Sequence, residues 1–261
     1  MKIAEILSVL EAVAPPYLQE SYDNAGLIVG DPDQEVTGVI CCLDSTEAII
    51  EEAIARGCNL VVAHHPIVFR GLKRLNGATY IERTVIKAIR HGIAIYAIHT
   101  NLDNVFRQGV NSKIAEKLGL INTRILAPKA GDPEIGAGLI GQLPKSVSET
   151  DFLQYLKTAL NTACIRHTAL RHRDVKTVAV CGGAGSFLLP EAIRQNADFL
   201  VTADFKYHEF FDAEGRLVIA DVGHFESEQF TIELLFHILQ EKFPTFALHL
   251  TNLNTNPVFY A

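Results

Sequence analysis

Short apolar runs rich in Val and Ile recur along the chain, at Val36–Leu43, Asn59–Ala63, Ile93–Ile98, Val178–Cys181, Phe199–Thr202 and Leu217–Val222. Each is followed by a stretch of helical periodicity or by a turn signal. Unbroken apolar runs of this length fit strands buried on both faces, and their alternation with helical patterns fits βα units feeding largely parallel sheets. The pattern therefore predicts an α/β fold. At the amino terminus Ile3, Ile6, Leu7 and Leu10 recur at helical spacing with Glu5 and Glu11 among them, an amphipathic helix rather than a secretion signal. Toward the other end, Ile232, Leu235 and Leu239 continue a stripe that begins at His224 and Glu228, which predicts one helix reaching Lys242. The rhythm breaks between Ala127 and Ser148, where a Gly- and Pro-bearing stretch reads as the crossing into a second α/β unit.

A length of 261 residues suits one large or two modest units of this kind. The 23 basic residues against 30 acidic ones leave a net charge of −7, which disfavours a sequence-independent grip on nucleic acid or on an anionic membrane. No apolar run approaches the ~20 residues of a membrane span. The five cysteines, Cys41, Cys42, Cys58, Cys164 and Cys181, are odd in number, include no C-x-x-C pair and read as buried thiols of a reducing compartment. The expected location is cytoplasmic, with neither membrane nor nucleic acid as partner.

In open α/β sheets ligands bind outside the carboxyl ends of the strands, so the residues ending each apolar run carry the functional signal. NLVVA ends in His64-His65-Pro66, where proline stops the ladder for want of an N–H. Adjacent side chains on an extended segment point to opposite sides, so these imidazoles suit two ions better than one. A capped strand end with one core and one exposed histidine is the plain alternative. IAIYAI is followed by His99 and then Asp103, a carboxylate suited to a divalent cation and equally to a turn or helix cap. RLVIADV ends at Gly223-His224, and Glu228 stands four residues on, so the pair shares one helical face. A His and a Glu directed inward need partners, which a metal would supply; a surface i,i+4 pair is the plain alternative.

Three strand ends thus offer three imidazoles and two carboxylates, His64, His65, Asp103, His224 and Glu228. That is enough for two divalent ions about 3.5–4 Å apart in the cleft at the strand ends. Nitrogen and oxygen donors suit Zn, Mn, Fe, Co or Ni. Asp44 reads as a helix cap, and the glycine stretch Gly182–Ser186 as a tight turn that could present N–H groups to an anion. As a dinucleotide fingerprint it fails, since Leu188 stands where a third glycine is needed.

The segments DNAGLIVG from Asp23 to Gly30, AHHP from Ala63 to Pro66, HTNLD from His99 to Asp103, CGGAGS from Cys181 to Ser186 and GHFESE from Gly223 to Glu228 occur in this order over nearly the whole chain. As a set they resemble the NIF-three-like family, the type 2 homologues of GTP cyclohydrolase I, in its short form without an inserted domain. The resemblance implies a dinuclear site on His64, His65, Asp103, His224 and Glu228. It also implies two similar α/β lobes, residues 1–126 with 225–261 and residues 127–224, and a homohexameric ring with itself as partner.

Two functions compete. One is a metal-dependent hydrolase acting on a nucleotide-like small molecule, with His99 or His208 moving protons. The other is a non-catalytic metal-binding ring that serves as a regulatory or interaction scaffold.

Overall fold

A computed structural model describes residues 1–129 and 132–261 and divides the chain into two compact units. The first consists of Met1–Leu102 with Thr231–Pro257, the second of Asp103–Phe230 with Val258–Ala261. All six runs read as strands from the sequence form strands, and the fold is α/β.

In the first unit the helices are α1 (Ile3–Val13), α2 (Glu47–Ala55), α3 (Tyr80–Arg90) and α9 (Thr231–Lys242). Its strands are β1 (Gly26–Val29), β2 (Val39–Asp44), β3 (Leu60–His65), β4 (Ala94–Ala97) and β11 (Leu248–Leu250), in the sheet order β1-β4-β3-β2-β11. All pairs are parallel except β1 with β4. Ile40, Cys42, Val61, Ala63 and Ile95 meet Ile49, Ile50 and Ala53 of α2 and Val85 and Ala88 of α3 on one face. Alternation sends Val39, Cys41 and Leu43 to the other face, where α9 packs on β2 and β3. Two buried faces are why β2, β3 and β4 read as unbroken apolar runs. The cap of α2 is Thr46, whose Oγ1 accepts from the Ile49 N–H. Asp44, expected to cap, is committed elsewhere.

The second unit contains α5 (Val110–Lys117), β5 (Ile121–Pro128), β6 (Gly136–Ser148), α6 (Glu149–Ala159), β7 (Arg166–His167), β8 (Asp174–Ala184), α7 (Leu189–Arg194), β9 (Phe199–Ala203), β10 (Val218–Asp221) and α8 (His224–Glu228). The one-turn helix α4 (Thr100–Asp103) runs across the division. The sheet order is β5-β6-β8-β9-β10-β7, with only β8-β9-β10 parallel, so this sheet is mixed rather than largely parallel. Its core joins Leu126, Ile140, Ala179, Leu200 and Ile219 to Leu189 and Ala192 of α7.

The division differs from the expected 126/127. The βα rhythm carries on through α5, but that helix packs on β6 and β8, so the changeover comes earlier, between Leu102 and Asp103. The stretch from Ala127 to Ser148 is also no linker. Ala130 and Gly131 lie outside the described residues, but from Gly136 onward it is β6, one of the sheet's inner strands. Its glycines answer to packing, since a Cβ at Gly138 would lie 2.7 Å from Leu188 Cδ1 and 3.0 Å from the Val180 carbonyl oxygen. The single helix expected from His224 to Lys242 is two, α8 and α9, separated by a turn at Gln229 and Phe230. Among the described residues no helix is long and apolar enough to cross a membrane.

Candidate metal centre

In the first unit β3 delivers His64 and His65 at its carboxyl end, and the turn after β4 delivers His99. His64 is fully buried, with Nδ1 2.8 Å from the Ile98 carbonyl oxygen. A carbonyl only accepts, so Nδ1 holds the proton and Nε2 keeps its lone pair. His65 Nδ1 lies 2.7 Å from Asp44 Oδ1, and His99 Nδ1 lies 2.7 Å from Asp23 Oδ1. Burial works to raise the Asp23 pKa, yet hydrogen bonds from His99 and Thr100 outweigh it and hold the carboxyl at about 2. Burial likewise works to raise the Asp44 pKa, but the hydrogen bond from His65 outweighs it and holds the carboxyl below the usual carboxylate range.

The two adjacent histidines are not splayed to opposite sides as expected. Their ring centroids are 4.9 Å apart, and each lies within 5.5 Å of that of His99. The tethers explain this, because Ile98 and Asp44 stand at the exits of the two strands flanking β3 and turn both rings toward the strand's end. One donor atom from each of His64, His65 and His99 falls within 4.8 Å of the other two. His99, expected to handle protons, thus sits among the donors.

In the second unit Asp103 ends α4, and its backbone carbonyl accepts from Asn111 Nδ2 at 3.0 Å. His224 and Glu228 share a face of α8 as expected, with Nε2 to Oε2 at 3.1 Å, and the Glu228 carboxylate is buried. Carboxylate oxygens of Asp103 and Glu228 lie within 4.8 Å of each other. His224 Nδ1 lies 2.7 Å from Asp204 Oδ2. Burial would lower the His224 pKa, but the charges and hydrogen bonds of Glu228 and Asp204 push it up to about 11. The imidazolium so formed balances the buried Glu228 charge.

The glycine stretch serves this unit differently from the expected anion turn. The Gly182 N–H donates to Asn111 Oδ1 at 3.0 Å and the Gly183 N–H to Ser227 Oγ at 2.9 Å, so neither is offered to an anion. Gly183 has φ +59°, and a Cβ there would lie 2.6 Å from Glu228 Oε1. Its glycine is what lets the carboxylate close on β8. Cys181 lies close by, and burial first, then Asp103 and Glu228, raise its thiol pKa, which disfavours a thiolate ligand. Four cysteines are buried as expected, whereas Cys164 is exposed.

His208 is exposed in the 3-10 turn Tyr207–Ala213, beside the rings of Tyr207 and Phe211, and belongs to none of the donor groups among the described residues. Sequence reasoning passed over Asp23, Asp44 and Asp204 as partners of the imidazoles. Asp44 and Asp204 do follow apolar runs, and Asp23 opens the DNAGLIVG segment. Beyond Asp44 stands Thr255, whose Oγ1 donates to Oδ2 at 2.7 Å and leaves Oδ1 to His65. Partners of this order typically change metal affinity 10–100-fold. Thr255→Val is therefore expected to weaken metal uptake at least about tenfold in a competition titration, with Thr255→Ser restoring it. Equal affinity in all three proteins would remove Thr255 from the account.

A profile of the Duf34/NIF3 (NGG1p interacting factor 3) family matches residues 1–257. The chain belongs to the Duf34/NIF3 family. This family member is 34% identical to a GTP cyclohydrolase 1 type 2 homolog of Clostridium perfringens, over 87% of each chain. A protein of the same description from Clostridium acetobutylicum is 30% identical over 98% of this chain and 94% of its own. Among solved structures, the Bacillus cereus protein related to NIF3 superposes with a TM-score of 0.94 at 26% identity, covering 100% of this chain and 99% of its own.

Proposed function

We propose that this family member is a metal-dependent hydrolase of a nucleotide-like substrate. In this reading His64, His65, Asp103, His224 and Glu228 hold two divalent ions. The observation that carries it is the state of the imidazoles. His64, His65, His99 and His224 each have Nδ1 committed to an oxygen, three of the four to a carboxylate, which fixes the ring and leaves Nε2 of the first three as the donor. His224 Nε2 meets Glu228 Oε2 at 3.1 Å and would take an ion only on losing its proton. Histidines that bind metal are oriented in this way. The nitrogen and carboxylate donors suit Zn, Mn, Fe, Co or Ni. The description of the clostridial relatives supports a nucleotide-like substrate.

Bound ions would supply Lewis acidity and activate water for hydrolysis. The chain's own residues do the rest. Asp44, Ile98 and Asp204 fix the rings, Glu228 contributes buried negative charge, and His99, paired with Asp23, is placed to move a proton. His208, exposed and outside the donor groups, is a weaker candidate for that role. Five free thiols fit a reducing compartment such as the cytoplasm. We further propose assembly of six copies into a ring, and light scattering returning the 28.7 kDa of a single chain would refute it.

Elemental analysis of loaded protein should find two ions per chain, and a nucleotide panel should be turned over only when metal is present. Neutral imidazole is the binding form, so metal affinity should rise with pH and fall as pH drops. Loading must also expel the proton that His224 carries in the metal-free protein, so uptake at pH 7 should acidify a weakly buffered solution. Occupancy unchanged between pH 8 and pH 5 would argue against histidine ligands. Two tightly held ions with no turnover would favour the scaffold reading.

A further inference from the structure

The loop from Pro66 to Thr79, which leads out of the donor histidines, has no role in holding metal. It carries Arg70, Lys73 and Arg74 within five residues and no acidic residue before Glu82, in a chain whose net charge is −7. All three side chains are exposed, and none makes a hydrogen bond or ion pair with a described residue. Arg56, Arg83, Lys87, Arg166, Arg171 and Arg194 are ion-paired. Other cations without a partner among the described residues, such as Arg90, Lys145, Lys157 and Arg173, are scattered along the chain, whereas these three of the loop fall together. The loop is pinned at both ends. Asn24 Nδ2 donates to the Val68 carbonyl oxygen at 2.6 Å, and the Asn76 and Ala78 N–H groups donate to Glu82 Oε2 at 3.1 and 3.0 Å.

At its start Phe69 is 45% exposed, yet its ring centroid is 6.0 Å from that of His99 and 6.4 Å from that of the exposed Tyr22. A half-open aromatic surface therefore touches a donor histidine and runs directly into three uncompensated cations. Aromatic faces accept planar rings by stacking, and guanidinium groups hold phosphate oxygens in pairs.

We propose that this loop is the nucleotide-recognition element of the site, with the base stacked on Phe69 and Tyr22 and a polyphosphate held by Arg70, Lys73 and Arg74. The inference rests on the nucleotide reading above and assigns the phosphate contacts to this loop instead of the glycine stretch. Three cations over five residues match the phosphates of one nucleoside triphosphate. The acidic balance of the whole chain disfavours a long polyanion.

The test is calorimetric binding to the full chain in chelator, so that it is independent of turnover. Its probes are GTP, guanosine, inorganic tripolyphosphate and a single-stranded DNA oligonucleotide. Wild type should bind GTP more tightly than guanosine, with an affinity that falls as salt rises. The combined variant Arg70→Gln, Lys73→Gln, Arg74→Gln should lose about tenfold or more in affinity for GTP and tripolyphosphate while guanosine changes less than about twofold. Phe69→Ala should weaken GTP and guanosine alike, and unchanged melting temperatures would show that the fold is intact. GTP binding that survives in the triple variant, or that is no tighter than guanosine binding in wild type, would overturn the proposal. So would tighter binding of the oligonucleotide than of GTP, which would assign the cations to a polynucleotide. Nucleotide binding with these properties but no hydrolysis would sink the hydrolase reading and leave this one standing.

Discussion

Glu228→Gln is expected to strip at least one of two ions from the protein and to lower kcat by about 10³-fold or more, since water loses its activation when the ion is lost. The substitution keeps the shape of a buried side chain and deletes its charge. In the metal-free protein that charge is balanced by the His224 imidazolium at 3.1 Å, so glutamine also removes one of the two carboxylates, beside Asp204, that hold the proton on the histidine. The fold should therefore survive, and circular dichroism should match wild type while elemental analysis does not. Asp103→Asn should behave in the same way, because its carboxylate lies within 4.8 Å of that of Glu228. Full activity in a metal-free Asp103→Asn protein would locate the chemistry elsewhere.

Gly183→Ala is the second large effect, and it separates two uses of the same glycine. The backbone at φ +59° costs an L-residue about 1–2 kcal/mol. The new Cβ would meet Glu228 Oε1 at 2.6 Å and His224 Cε1 at 3.1 Å, both of which must move. The melting temperature should fall by about 2–8 °C, and metal affinity should drop by more than about tenfold, as for other disturbances of a ligand's support. If the glycines served instead to cradle an anion, the variant would keep both ions and show only a raised KM for an anionic substrate. That outcome would restore the role the sequence suggested for Gly182–Ser186.

These cases show where sequence reasoning reached and where it stopped. Strands β2, β3, β4, β8, β9 and β10 were legible because each has an apolar stretch buried on both faces. β1 and β11 are partly exposed edge strands of three or four residues, β7 is two exposed residues, and β5 is half exposed, so none carries a pattern that stands out. β6 was hidden by the glycines that let its neighbours approach, which read as loop composition. His64, His65, His224 and Glu228 were visible as polar residues closing apolar runs or sharing a helical stripe. The carboxylates behind them were not. Asp44 sits two residues from a true helix cap, and its work is defined only once β3 lies beside β2 and Thr255 has arrived from the far end of the chain. The break between α8 and α9 was equally silent, because the apolar stripe of α9 stays in phase with Glu228 across the turn.

The edge strand β11 has a consequence for the order in which the first unit is made. It pairs in parallel with β2, His249 opposite Ile40, yet it is synthesised about 200 residues later. At roughly 5–20 residues per second, a ribosome takes about 10–40 s to cover that distance. Throughout that interval β2 presents an open backbone edge, and the face that α9 will cover stays bare. Such an edge is a template for wrong pairing with another nascent chain. The unit's long-range closure thus makes its yield sensitive to the speed of translation and to whatever shields β2 while it waits.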